Sequence, residues 1–324
     1  MKLSRHVVVL SRRIAFCFAG VLTVTSVTGS LHAQRSLPSA ANGFTAVHLI
    51  GLPEVKTKAK GSISFPSGAL AFTSPGGNAS IARATMLRAT VGDERMEPGG
   101  TAGRISRAII PFGGGLALAA ATNKQVSLLT IEFRDEHDAL HGAVFVLPKE
   151  EALQAQQQLN LPDVPTKVQP QQPACNAGGV VHANAIRVAS IETPGEPVPA
   201  EYRVLLYEQL LLRLREQGTF AAIYRDGDDT PGAACAEYSF TLTLTGFKKG
   251  NAALRASTGP VGFFVGATSL TFHDRVQDAN GSDLIDDDFK VSERGDTESL
   301  NVADKVARSL TAKLKKASGR SKRS

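Results

Sequence analysis

Residues 237–247, EYSFTLTLTGF, alternate without a break, Tyr238, Phe240, Leu242 and Leu244 against Ser239, Thr241, Thr243 and Thr245. Successive side chains of an extended chain point to opposite faces. The run therefore predicts a strand with one apolar face to bury and one hydroxyl-bearing face left in water. A sheet wetted on one side needs a cover on the other. EYRVLLYEQLLLRLREQG (201–218) supplies one, with Val204, Tyr207, Leu211 and Leu214 on a single helical face and Gly218 as its stop. A second helix over about 300–315 spaces Val302, Val306, Leu310 and Leu314 in the same way.

The flanking segments complete two units. VVHANAIRVASI and TFAAIYR read as strands, and GFFVGATSLTFHDRV runs to a turn at Asn280-Gly281 that favours a tight hairpin. Residues 180–316 thus predict a two-layer α/β domain in the order β-α-β-β-β-α. Upstream, residues 44–159 read as short strands. GSISFPSGALAFTS is a hairpin about Pro-Ser-Gly, SLLTIEFR sets Leu129, Ile131 and Phe133 against Glu132 and Arg134, and GAVFVLP is a buried strand. A helix follows in KEEALQAQQQL, with Glu150 and Glu151 at its start and Leu153 and Leu159 as a thin apolar stripe. Between the units, residues 160–179 are rich in Pro and Gln and read as an extended linker. The fold class expected is α+β.

Two resemblances follow from these segments. The first half, strands closed by one terminal helix, resembles the pleckstrin-homology-like barrel in architecture. The second half, with TGFKKGNAALRASTGPVGFFVGATSLTFHDRVQDANGSDLI and a final helix ending in lysines, resembles a bacterial family of exported or lipid-anchored envelope proteins, a domain of unknown function. That family is similar in fold to the periplasmic domain of the curli-secretion lipoprotein and the N-terminal domain of TolB. Residues 247–255, F-x-x-G-N-x-x-x-R, are the most specific part of the match. The resemblance implies an envelope location and binding or assembly work, with an envelope protein as partner. It brings no catalytic residues.

The chain's start agrees with export. Lys2, Arg5, Arg12 and Arg13 precede an apolar run over 14–27, and Ala33 offers a signal cleavage point. Leu31 is large for its place before that point, so an uncleaved anchor stays open, as does twin-arginine against general export. Cys17 follows the bulky Phe16 inside the apolar run, which does not suit lipid attachment. Two cysteines then remain, Cys175 and Cys235, and an even pair in an exported chain predicts a disulfide, the alternative being two free thiols.

Charge reads differently once divided. Four of the 36 basic residues lie in 1–33 and six more in 313–324, leaving 26 against 30 acidic residues between them. The body is mildly acidic, so nucleic acid is not an expected partner. Residues 317–324 read as a basic, disordered tail, which either stays solvated or touches an anionic surface. Trp is absent and aromatics make up 6% of the chain, which disfavours carbohydrate or base stacking.

The densest polar cluster is RDEHDALHG (134–142). On a helix, His137 and His141 would share a face as zinc ligands do, with Asp135 nearby. The flanks have period two and Gly142 follows, so the segment predicts a hairpin tip, with Asp135 and Asp138 as turn formers, His137 in solvent and His141 opening the return strand. The glycines at 113–115 lack the helix and Lys-Ser or Lys-Thr of a phosphate loop, and RDGDDTPG (225–232) and DLIDDDF (283–289) read as solvated loops. No G-x-S-x-G elbow occurs, and nothing fixes an acid–base pair such as Glu237 and His273. The expectation is a binding or assembly protein with no cofactor, no catalytic residues and no metal. The alternatives are a metal-dependent hydrolase centred on His137 and His141 and a protein tethered through its basic tail.

Overall fold

The computed structural model describes residues 43–94, 126–161, 175, 179–195, 198–248, 268–293 and 298–321. Ala33 and the signal segment, the 113–115 glycines, most of the linker and residues 251–255 lie outside these. Residues 41–324 form one compact unit. The fold is mixed α+β, with a seven-stranded and a five-stranded sheet.

The first sheet comprises β1 (Phe44–Ile50), β2 (Ala59–Ser64), β3 (Ala69–Ser74), β4 (Gly77–Ala82), β5 (Met86–Glu94), β6 (Val126–Arg134) and β7 (Leu140–Pro148). Their order is β4-β3-β2-β1-β7-β6-β5, antiparallel throughout. The β2–β3 turn closes with the Ala69 N–H on the Pro66 carbonyl, and Gly68 takes the left-handed conformation (φ 79°) that this turn requires. Helix α1 (Lys149–Leu159) packs on β5, β6 and β7. It buries Ala152, Ala155 and Leu159, while Leu153, expected inside, is 40% exposed. Small residues at 152 and 155 let the helix sit close to the sheet, and the larger Leu153 falls on the outer side.

The second sheet comprises β8 (His182–Val188), β9 (Ala222–Tyr224), β10 (Ala236–Lys248), β11 (Thr268–Asp278) and β12 (Asp283–Glu293), with α2 (Ala200–Gln217) after β8 and α3 (Glu298–Ser321) last. The order is β12-β11-β10-β8-β9, with β8 parallel to both neighbours. Tyr238, Phe240, Leu242 and Leu244 are buried, as the alternation requires. One strand exceeds the expected order. DLIDDDF is no loop but the start of β12, whose inward Ile285 and Phe289 pack on the core between outward aspartates. The last helix also outruns expectation, continuing to Ser321 through residues read as tail.

The two halves do not close separately. β6 and β7 are buried on both faces, and β7 accordingly carries the nearly continuous apolar run AVFVL. Leu129, Ile131, Phe133, Phe145 and Leu147 fill the interior of the first sheet with α1. Their alternates Leu128, Val144 and Val146 join Val47 and Leu49 in a second core shared with α2, α3 and the second sheet. Helix α2 is buried on nearly every side, including Tyr202, Leu205, Leu206 and Leu210 outside the predicted face. Apolar side chains on more than one face mean that the helix is covered on more than one face. It crosses the first sheet over two glycines: a Cβ on Gly92 would overlap the Glu201 carboxylate, and one on Gly142 would overlap the Val204 methyl. Cys175 and Cys235 are joined by a disulfide, which stabilises by roughly 4 kcal/mol for a loop of about 60 residues in the chain-entropy model.

Candidate functional site: a polar clasp between the halves

RDEHDALHG forms the tip of the β6–β7 hairpin. Asp135 organises it. Its Oδ1 accepts the N–H groups of His137 (2.9 Å) and Ala139 (3.0 Å), and its Oδ2 lies 2.9 Å from His141 Nε2. Burial works against ionisation of Asp135, but the bonds from His141 and the two backbone N–H groups outweigh it and hold its carboxyl below the usual range. Asp138 takes a left-handed conformation (φ 57°) that returns the chain. His141, the second residue of β7, is 12% exposed and stacks on Phe133 at 5.2 Å. His137 is 53% exposed and turned toward Glu136 and Asp229. The imidazoles therefore occupy different surroundings. No group of three or more His, Cys, Asp or Glu side chains placed to hold a metal ion occurs among the described residues.

The tip meets the other loop that the sequence singled out, RDGDDTPG. The Leu140 N–H donates to the Asp226 carbonyl (2.8 Å) and the Asp229 N–H to the His137 carbonyl (3.0 Å). Gly227, at φ 78°, lets this loop pass against Arg134 and the Asp138 carbonyl, where a Cβ would collide. Arg225 reaches inward. Its guanidinium forms a two-pronged pair with Glu208 of α2, Nη1 to Oε1 at 2.7 Å and Nη2 to Oε2 at 2.8 Å, and Nη1 also donates to the Leu140 carbonyl at 2.8 Å. Glu208 Oε1 accepts the Gly142 N–H (2.9 Å). Both side chains are buried, 6% and 3% exposed. Burial opposes the charge on Arg225, and the Glu208 carboxylate more than offsets it, so the guanidinium stays charged.

Tyr207 completes the arrangement. Burial pushes its hydroxyl well above the normal range, and that hydroxyl donates to the Val188 carbonyl while accepting the Asp226 N–H (2.9 Å). A second bridge joins the halves where Arg88 and Arg203 both contact Glu132 Oε1, the latter at 2.6 Å. Burial pushes the Glu132 carboxyl up against the pull of Arg88.

Sequence reasoning placed Asp135, His137 and His141 on a hairpin tip but not what the tip touches. It missed Glu208, Arg225 and Tyr207. One signal was present: a carboxylate at Glu208 inside an otherwise leucine-rich helix. Glu237 and His273 do not meet. Glu237 accepts the Asn184 N–H, while His273 lies between Asp286 (3.1 Å) and Asp288 (3.0 Å).

Two buried histidines are expected to make the molecule acid-sensitive. His48 is fully buried, its Nδ1–H donating to the Lys56 carbonyl (3.1 Å) and its Nε2 accepting the Leu52 N–H (3.1 Å), so no nitrogen is left for a second proton. His141 Nδ1 is buried with no hydrogen-bond partner among the described residues. Burial lowers both pKa values from 6.5, for His141 with Arg225 adding to the effect. A histidine whose folded pKa is depressed binds fewer protons folded than unfolded. Stability is then full above 6.5, falls as pH drops through that value and levels off below the folded pKa. Thermal unfolding at pH 7.5, 6.5 and 5.5 is expected to show a falling Tm with acidification. His141→Gln, which keeps a donor for Asp135, is expected to flatten part of that slope.

No family model matches this chain, and no curated protein does. Among solved structures, the hypothetical protein CT253 from Chlamydia trachomatis aligns at TM-score 0.31 with 14% identity, over 42% of this chain and 97% of its own. A PelC dodecamer from Paraburkholderia phytofirmans aligns at TM-score 0.27 with 15% identity, over 43% of this chain and 89% of its own. Both likenesses are too slight to assign this chain a role.

Proposed function

We propose that this protein is an exported component of a bacterial cell envelope that acts by binding or assembly and not by catalysis, with its two halves presented to an envelope protein partner as one rigid body. The observation that carries this reading is the clasp. The side chains that most resemble a reactive centre, Asp135, His141, Glu208 and Arg225, hold one another and the backbone across the boundary between the halves. The intramolecular disulfide supports an oxidising compartment. No described helix is long and apolar enough to cross a membrane. The periplasm is the compartment this reading favours.

The test pairs two measurements on the full chain. Mild crosslinking in envelope fractions is expected to give one discrete adduct at constant stoichiometry. Elemental analysis of the purified protein is expected to find no bound metal. One zinc per chain, lost in His141→Ala together with a hydrolytic activity, would overturn the proposal in favour of the metal-dependent hydrolase.

A further inference from the structure

Helix α3 segregates its cations. Lys313 turns inward, its Nζ 3.0 Å from Asp274 Oδ1, 3.6 Å from Asp287 Oδ2 and over the Phe289 ring. Val302, Val306, Leu310 and Leu314 hold the same side of the helix in the core. That fixes what the opposite side presents. Lys305, Arg308, Ser309, Ala312, Lys315 and Lys316 are exposed along it. Four of these six are cationic and none is acidic. Asp304, the one acid of α3 with a described side chain, is turned to Arg213 and Arg308. Lys305 also reaches the Ser292 carbonyl. At 24 residues the helix is about 36 Å long. It continues to Ser321, so residues 317–321, expected in a free tail, extend the same rod.

We infer that this ridge is a docking surface for an anionic phospholipid layer. Three features favour a lipid plane. The row runs along one helix, it is backed by packed core, and it stands on a body with 26 basic against 30 acidic residues once residues 1–33 and 313–324 are set aside. A molecule charged in this way meets a negative plane ridge first and holds its acidic side away. The outward aspartates of β12, Asp286 and Asp288, lie on the face of the second sheet opposite α3. This deepens the proposed envelope function by naming a surface partner, and it needs only purified protein to test.

The experiment is co-sedimentation of the full chain with vesicles of phosphatidylcholine alone or containing 30% phosphatidylglycerol, at ~50 and ~300 mM salt. Binding is expected only to the anionic vesicles and is expected to fall steeply with salt. Lys315→Gln/Lys316→Gln is expected to weaken it about 30-fold, from the usual contribution of two lysines near a charged leaflet. Lys290→Gln, an exposed lysine on the outward face of β12, is expected to leave it unchanged. Equal loss in both variants, binding to neutral vesicles, or binding to soluble polyphosphate without vesicle binding would each overturn the inference. The proposed envelope function would survive any of these if the crosslinked protein adduct still formed.

Discussion

Arg225→Met is expected to destabilise the folded chain by about 3–5 kcal/mol, the largest effect of any single substitution in the clasp. The cause is what remains behind. Glu208, 3% exposed, would keep a carboxylate facing the Gly142 N–H with no counter-charge, and the Leu140 carbonyl would lose its donor. Taking the carboxylate away as well should recover much of the loss, because the uncompensated charge is the costly element. Glu208→Met/Arg225→Met is therefore expected to be more stable than Arg225→Met, though below wild type, since the Gly142 N–H would be left without an acceptor. Urea unfolding of the three chains with the disulfide intact checks this. A double variant no better than the single one would show that the pair is not coupled across the boundary.

Gly142→Ala is expected to cost about 1–3 kcal/mol although it adds a single methyl group to a β-strand. That methyl would occupy the place of a Val204 methyl, and α2 would have to lift from the first sheet. Because α2 fills the shared core, lifting it loosens contacts to Leu128, Val144 and Val146 on one side and to α3 on the other. Val204→Ala opens the matching space at its own cost. The combination Gly142→Ala/Val204→Ala is expected to lose less than the two single costs added together, and a double-mutant cycle measures the difference. Strict additivity would place the strain elsewhere.

The elements of this fold can be read from the chain one at a time, and the difficulty lies in how they join. The alternation from Tyr238 to Thr245 and the Pro-Ser-Gly hairpin are local patterns with local causes, and the structure reproduces both. The four-residue face of α2 was also correct but incomplete. Tyr202, Leu205, Leu206 and Leu210 lie off that face, and their presence says that the helix is covered on more than one side. β12 was hidden by composition, since four aspartates between Asp283 and Asp288 outweigh a pattern carried only by Ile285, Phe289 and Val291. The pairing of Arg225 with Glu208 shows in the sequence only as a carboxylate within a leucine-rich helix, and the pairing of one polar loop with another leaves no trace. Each loop looks solvated alone, and each takes its partner from a segment dozens of residues away.

The shared helix also orders events in time. The first sheet is complete at Pro148, yet the outer side carrying Val47, Leu49, Leu128, Val144 and Val146 has nothing to lie against until residues 200–217 arrive. A nascent chain halted between those points would display a bare oily sheet to whatever surrounds it. Such a chain needs either a holding factor at its exit or a fast second half, and truncations ending inside the linker are expected to aggregate, where those that retain α2 and α3 do not.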